Sequence, residues 1–187
     1  MIQAIDGELI TKSFKTTANI EQGNTVSDTK NDILKMAVIN RYSESPPTIA
    51  FINGFNLQEG ALASCVGHDS HNIIAVGTDD ASICKAVNLI IKNEGGVSAV
   101  SNNNEHVLPL PVAGIMSTDE GQKVADAYSL IDRFSKEKLG CRLRSPFMTL
   151  SFMALLVIPR LKLSDLGLFD GGDFKFTPLF IEAENVV

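Results

Sequence analysis

The spacing of apolar and polar positions changes along the chain, and these changes predict both strands and helices. Short runs of β-branched, aliphatic or aromatic residues bounded by Gly, Pro, Asn or Asp are typical of strands. They predict a hairpin over 2–11 that turns at Asp6-Gly7, and strands over 48–55, 60–66, 73–77, 97–100, 106–108, 161–163 and 174–181. Apolar residues at helical spacing predict helices over 28–41, 78–94, 118–139 and 146–156.

Local signals set the ends of these elements. Asp28 is a candidate cap for the first helix, which must end before Pro46-Pro47 because proline lacks an N–H group. Ser117 and Glu120 have the spacing of a capping box for the third helix. The helix over 78–94 lies between two predicted strands, and such a strand-helix-strand unit usually builds a parallel pair.

Two segments are predicted to lack regular structure. The run over 108–117 is too apolar for a solvent loop, yet its prolines exclude a central strand, so we expect a buried, rigid connector. The run over 164–173 contains three glycines and is predicted to be a loop.

Composition narrows the class of protein. At 187 residues the chain has the length of one well-buried domain. No apolar run reaches the roughly 18 residues that a membrane-spanning helix requires, so we expect no membrane segment. A net charge of -6 without clustered Lys and Arg argues against a nucleic-acid partner. Three widely spaced cysteines suit neither a disulfide framework nor a paired-thiolate zinc site, which favours a reducing cytoplasm.

The densest group of reactive side chains lies between two predicted strands. It is the run His68-Asp69-Ser70-His71-Asn72, here called the histidine loop, and it holds two of the chain's three histidines. Connecting loops commonly present polar groups for function. Five hydrogen-bonding side chains in one loop exceed what a turn requires, so we predict that the loop contacts a ligand or forms an interface.

His68, Asp69 and His71 are the candidate metal ligands. Imidazole nitrogens and a carboxylate this close in a turn could share one ion. However, the helical zinc motif spaces its histidines at i and i+4, and His106 lies far away in a predicted hairpin. The alternative is that both histidines satisfy backbone or carboxylate groups at the bend between the strands.

Ser64, Ser70 and Arg41 complete the set of candidate site residues. Either serine beside His68 could imitate a nucleophile and its base, but no strand-to-helix nucleophile elbow surrounds them. Arg41 is predicted at the end of the first helix, where it either projects towards a carboxylate or purine or complements the helix C-terminus. We therefore regard these residues, with the histidine loop, as substrate-site or interface candidates, and assign none as catalytic.

Several segments, taken in order, resemble the C-terminal domain of the bacterial and archaeal adenine deaminases, which are members of the amidohydrolase superfamily. The resemblance extends over nearly the whole chain. It is carried by the runs 7–12 (GELITK), 32–38 (DILKMAV), 60–77 (GALASCVGHDSHNIIAVG), 108–114 (LPLPVAG), 146–152 (PFMTLSF) and 178–180 (PLF). The HDSHN and PFMTLSF runs are specific when they occur together.

The resemblance implies an enzyme of purine metabolism that converts adenine and water to hypoxanthine and ammonia, with manganese, iron or zinc. In that family the metal ligands lie mainly in a (β/α)₈ barrel that precedes this domain. Such a barrel needs roughly 200 residues or more, with eight strand-helix repeats, and the chain shows neither the length to spare nor a His-x-His strand motif. The resemblance therefore implies a domain that borders the active site of a missing barrel, is inactive alone and binds no metal firmly.

We expect one α/β (mixed α+β) domain over 1–187, in which a mixed sheet carries packed helices. An N-terminal hairpin region over 1–27 should pack on the core, and 182–187 should form a tail. The expected partners are the barrel domain, adenine in the parent enzyme, and further copies of the chain in a homo-oligomer. The alternatives are a stand-alone, non-enzymatic purine-binding or oligomerisation domain, and a small metallohydrolase centred on His68, Asp69 and His71.

Overall fold

An eight-stranded mixed sheet forms the centre of the molecule in the computed structural model, which describes residues 1–182. The elements, in chain order, are β1 (Ile2–Ala4), β2 (Thr11–Ser13), β3 (Asn19–Glu21), β4 (Asn24–Val26), β5 (Leu34–Ile39), β6 (Thr48–Asn53), β7 (Ala61–Ser64), β8 (Ile73–Gly77), α1 (Asp80–Lys92), β9 (Gly96–Val100), β10 (Glu105–Pro109), α2 (Gly121–Glu137), α3 (Pro146–Ser151), β11 (Leu161–Ser164), β12 (Gly167–Asp170) and β13 (Lys175–Phe176).

The strand order of the central sheet is β10-β9-β7-β8-β5-β6-β1-β2. Its neighbours are antiparallel except β1 and β6, which pair in parallel. Strands β11 to β13 form a smaller antiparallel sheet, and β3 pairs with β4 in a separate hairpin. The predicted mixed α+β fold without a closed barrel is confirmed. Part of the predicted tail, 183–187, lies outside the described residues.

Both faces of the central strands are covered, as the apolar run over 73–77 predicts. Ile74 and Val76 of β8 point into the larger core, which also contains Ile131 of α2 and Phe147 of α3. Ile73 and its alternate neighbours belong to a second core that contains the apolar face of α1. The sheet is therefore sandwiched between α1 on one face and α2 with α3 on the other. No helix in the described part of the chain has the length and hydropathy needed to cross a membrane.

The predicted helix over 28–41 is wrong. Asp28 does act as a cap, accepting hydrogen bonds from the backbone N–H groups of Lys30 and Asn31, but the 3₁₀ turn it caps lasts only from Thr29 to Asn31. Asp32 then adopts a left-handed conformation and β5 follows. Because β5 lies between β6 and β8 and is buried on both faces, its continuous apolar run lacks the alternation that distinguishes a strand from a helix.

The predicted parallel pair around α1 is also wrong. Strands β8 and β9 do run parallel, but β7 lies between them and pairs antiparallel with both. Strand β7 lies next to β8, so the chain that leaves α1 enters the sheet as β9 on the far side of β7. Asp79 caps α1, accepting a hydrogen bond of 2.8 Å from the backbone N–H of Ser82.

The segment over 108–117 is only partly buried. Leu108 and Leu110 lie in the core, whereas Val112 and Met116 are exposed and form an isolated bridge. Its Pro109 is tolerated because β10 is an edge strand. The prediction of a buried connector is therefore wrong for most of the segment after Leu110.

Several predicted features differ in the C-terminal half, including the last strand, which spans only Lys175–Phe176 of the predicted 174–181. Ser117 accepts a hydrogen bond from the N–H of Asp119 and α2 starts without a side-chain cap, so the capping box is absent. Helix α3 ends at Ser151, five residues before the predicted end. Strand β12 occupies part of the predicted loop over 164–173, because it pairs with β11.

Candidate functional site

The histidine loop connects two neighbouring central strands, at the end of the sheet where β7 stops and β8 starts. It follows β7, which ends at Ser64, and leads into β8, which begins at Ile73. In the sheet register Ile39, the last residue of β5, lies opposite Ile73, so Arg41 leaves the sheet beside the loop. The structure therefore brings Arg41 close to the loop, although Arg41 and His68 are 27 positions apart in the sequence.

Hydrogen bonds from three neighbouring segments hold the loop. The N–H of His68 donates to the carbonyl of Ser151 at the end of α3, at 2.9 Å. The buried side chain of Asn72 accepts from the N–H of Arg41 at 3.2 Å. The hydroxyl of Tyr42 donates to the carbonyl of Ser70 at 2.6 Å. These contacts fix the backbone, so the side chains of the loop are presented from a defined frame.

The two imidazole rings of the loop lie close together. His68 stacks on Phe152, with 4.8 Å between ring centroids and 29° between planes. The ring of His71 lies 5.9 Å from that of His68. The Nδ1 atom of His71 is buried and has no hydrogen-bond partner within the described residues, although buried ring nitrogens are normally paired. His71 is therefore the residue of the loop with an unused polar atom.

The guanidinium group of Arg41 is already engaged by the chain. It donates to the carbonyl of Ala113 at 2.5 Å and lies 5.1 Å from the centre of the Tyr42 ring. A Cβ atom on the adjacent Gly114 would come within 1.8 Å of this guanidinium, and Gly114 has φ of +79°, so a side chain there is doubly excluded. Arg41 ends no helix, so the predicted interaction with a helix C-terminus is wrong; instead it ties the 108–117 segment to the loop.

The remaining candidates differ in exposure. Ser64 is buried and its hydroxyl accepts a hydrogen bond from the N–H of Val66 at 3.0 Å. Asp69 and Ser70 are exposed at the tip of the loop. Over residues 1–182, no three His, Cys, Asp or Glu side chains converge on a point where a metal ion could bind. The chain therefore offers single donors beside one another and no complete metal centre, and the metal role of His68, Asp69 and His71 stays a prediction.

A cavity of about 330 Å³ lies behind Phe152. One wall is the β1–β2 turn, from Asp6 to Leu9, and the other is the start and inner face of α3 with Phe152 at its end. Arg144 joins the two walls, because its backbone N–H and its Nε both donate to the carboxylate of Asp6 at 2.9 Å. This contact holds the pKa of Asp6 below its usual value, chiefly through the backbone hydrogen bond.

Phe152 is a candidate site residue that the sequence analysis does not single out. It lines the cavity and also carries the stacked His68 ring, so one aromatic side chain joins the two features. The signal for it is indirect: Phe152 is the last residue of the PFMTLSF run, which carries the resemblance and lies in the predicted helix over 146–156.

The comparisons with known proteins agree with these motifs. The family model described as the adenine deaminase C-terminal domain matches residues 8–175. The adenine deaminase of Methanosarcina mazei is 53% identical over 182 residues, which cover 97% of this chain and 33% of that protein. The adenine deaminase of Salinibacter ruber is 48% identical over 183 residues, with the same two coverages. That of Sulfurovum sp. is 52% identical over 176 residues, covering 94% and 32%. The chain thus spans about a third of the length of these relatives.

Proposed function

The chain belongs to the adenine deaminase C-terminal domain family, and from this premise we propose that it is the C-terminal part of an adenine deaminase. Its histidine loop borders the active site of a catalytic barrel that lies outside these 187 residues. The reaction is the hydrolysis of adenine to hypoxanthine and ammonia in the cytoplasm. The chain contributes to that site and does not catalyse the reaction alone.

One observation carries the proposal: three separate motifs of the resemblance meet at one place. The runs over 7–12 and 146–152 form opposite walls of the cavity, and Phe152 at the end of the second run stacks on His68 in the third. Residues 68 and 152 are distant in sequence, so their contact is a property of the fold. A fold that gathers its most specific segments is expected to use them at one surface.

The exposed apolar side chains at the rim of the cavity support the proposal that another part of the enzyme covers this surface. Leu9, Ile10 and Met148 are 44%, 47% and 55% exposed, and Leu9 and Met148 both line the cavity. Contiguous apolar side chains on a protein surface mark interaction sites. Since the relatives are about three times as long as this chain, we assign the cover to their preceding part.

The metal enters the proposal only through neighbouring donors. A manganese, iron or zinc ion would supply the activated water of the reaction. His71, with its unpaired Nδ1, and His68 beside it are suited to contact a substrate or a bound water at the border of such a centre. The resemblance assigns the principal ligands to the barrel, and within residues 1–182 no three candidate ligands converge.

Deaminase assays test this proposal. The purified 187-residue chain, supplied with manganese, iron or zinc, should release no ammonia from adenine; turnover by the chain alone would refute the division of roles. Fused behind the preceding part of the Methanosarcina mazei relative, the chain should give an active enzyme, and His68→Ala should lower its kcat/KM. Lys175→Ala, at an exposed position in β13, provides the control. An unchanged kcat/KM in the His68 variant would place the loop away from the site.

Homo-oligomerisation stays part of the proposal. Two exposed aromatic residues, Phe176 in β13 and Phe174 in the turn before it, offer a surface for a second copy. Light scattering of the purified chain measures the oligomeric state directly, and a monomer at micromolar concentration would remove this element.

A further inference from the structure

Lys162 is a fully buried lysine in β11, with 0% of its surface exposed. Lysine is rarely buried completely unless its charge is paired. No carboxylate within residues 1–182 pairs with it, and desolvation alone lowers the pKa of its amine to about 8. Burying an amine without a carboxylate partner costs folding free energy, so the hydrogen bonds of this amine indicate what it contributes.

The amine joins two segments that line the cavity. Its Nζ donates to the carbonyl of Leu9 at 2.7 Å, on the β1–β2 side, and to the carbonyl of Phe152 at 3.0 Å, just after α3. These two acceptors are separated by 143 positions in the sequence, and neither lies in a strand or helix. Lys162 is therefore a bridge between the two walls.

The same short segment at the end of α3 also holds the histidine loop. Three consecutive carbonyls, of Ser151, Phe152 and Met153, accept from the N–H of His68, the Nζ of Lys162 and the N–H of Leu163, respectively. The Phe152 ring carries the stacked His68 ring. The position of His68 thus depends on a segment that β11 fastens from behind.

We propose that Lys162 is a positioning residue for the histidine loop: it fixes the segment 151–153, and through it the backbone and ring of His68, against the β1–β2 turn. The cation suits this place, because the last carbonyls of a helix have no intrahelical partner and attract positive charge. The inference rests on the proposed function for the importance of the loop, but the bridge itself is a property of this chain alone.

Amide hydrogen exchange on the 187-residue chain tests the bridge without any enzyme assay. In Lys162→Met, a side chain of similar length without N–H donors, the His68 amide should lose its protection about tenfold more than the amides of β8, since one fixing interaction of the 151–153 segment is gone. Lys162→Arg retains N–H donors and should keep the His68 amide nearer to its wild-type protection. The ring-current shift of the His68 protons should move in the Met variant as well.

A matched control separates positioning from general destabilisation. Ile90→Ala removes apolar contacts in the second core, on the opposite face of the sheet, and should lower the protection of His68 and of β8 amides together. If Lys162→Met also lowers them in step, the positioning role is overturned. Should the Met variant not fold, Lys162→Gln, with a shorter side chain that keeps one donor group, allows the same comparison. A positive result combined with an inactive fusion enzyme would retain the bridge and reject the proposed function.

Discussion

Replacement of Lys162 by Met is expected to abolish a rise in stability between pH 8 and 9. Burial lowers the pKa of this amine from 10.5 to about 8 in the folded chain, whereas the unfolded chain keeps the ordinary value. Within this window the native amine releases its proton and the unfolded amine retains it. The unfolded state then binds more protons, so the free energy of unfolding increases with pH. Integrated from pH 8 to 9, the increase is about 1 kcal/mol.

Other groups titrate nearby with different signs. Burial raises the pKa of the Cys141 thiol from 9.0 to about 11, so the unfolded chain loses this proton first and stability falls as pH rises above 9. Burial lowers the pKa of the Met1 amino group, so the folded chain releases this proton first and the free energy of unfolding rises as the pH increases towards 8. Both groups remain in the Lys162→Met variant. The difference between the two proteins therefore isolates the lysine.

The variant also faces two opposing effects at pH 7. Removing the desolvated charge favours the variant by about 3 kcal/mol. The substitution also leaves the carbonyl of Leu9 unpaired, which costs about 1–3 kcal/mol. The carbonyl of Phe152 loses one of its two hydrogen bonds, at about 1 kcal/mol, and still accepts from the N–H of Leu155. At pH 7 these effects nearly cancel, so we expect the stability of the variant to lie within about 1 kcal/mol of the wild type. From pH 8 to 9 the wild type gains about 1 kcal/mol relative to the variant.

Urea unfolding at pH 7, 8 and 9 under reducing conditions, followed by far-UV circular dichroism, measures this difference. The control is Lys175→Met, which changes an exposed lysine of β13. Its difference from the wild type in unfolding free energy should stay the same from pH 7 to 9. A wild-type minus Lys162→Met difference that stays the same from pH 8 to 9 would show that the amine is solvated, and would refute the reasoning.

Three further substitutions have defined outcomes in urea unfolding at pH 7, with Glu137→Ala, on the exposed surface of α2, as the neutral control. Asp79→Ala removes the cap of α1 and should cost about 1 kcal/mol; no loss would mean that the cap is solvent-replaceable. Asp32→Ala leaves two backbone N–H groups at the exit of β6 without their acceptor and should cost about 2 kcal/mol, more than Asp79→Ala. Gly114→Ala forces a left-handed alanine against Arg41 and should cost about 1–3 kcal/mol; wild-type stability would contradict the tight contact.

The parts of the fold that were predicted correctly are those with a local signal. Helix α1 has a cap, an apolar face and a glycine exit within one short segment. Strand β8 is short, apolar and bounded by Gly77. Strand β5 lacked such a signal, because a strand buried on both faces has no alternation, and its preceding Asp28 cap favours a helix in any local interpretation.

The site shows the same division. The histidine loop was recognisable because its polar residues are consecutive, and Arg41 was recognised without the register that places it there. Phe152 and Lys162 were not recognised, because their roles depend on contacts with residues 68 and 9. In the Leu-Lys-Leu run of β11, alternation predicts an outward lysine; the structure buries it, since β11 is covered on both sides.

The histidine loop combines a fixed backbone with unused side-chain capacity. Ser151 and Tyr42 hold its main chain and Arg41 holds the side chain of Asn72, yet Asp69 is exposed and the buried Nδ1 of His71 has no partner within residues 1–182. A loop that served only to connect two strands would not need this ordering, and a complete metal centre would require donors that converge. Ordered but uncompleted polar groups are suited to a site that a second surface completes. In the proposed function such a surface docks on the apolar rim beside Phe152, and Lys162 holds the segment that links the rim to the loop.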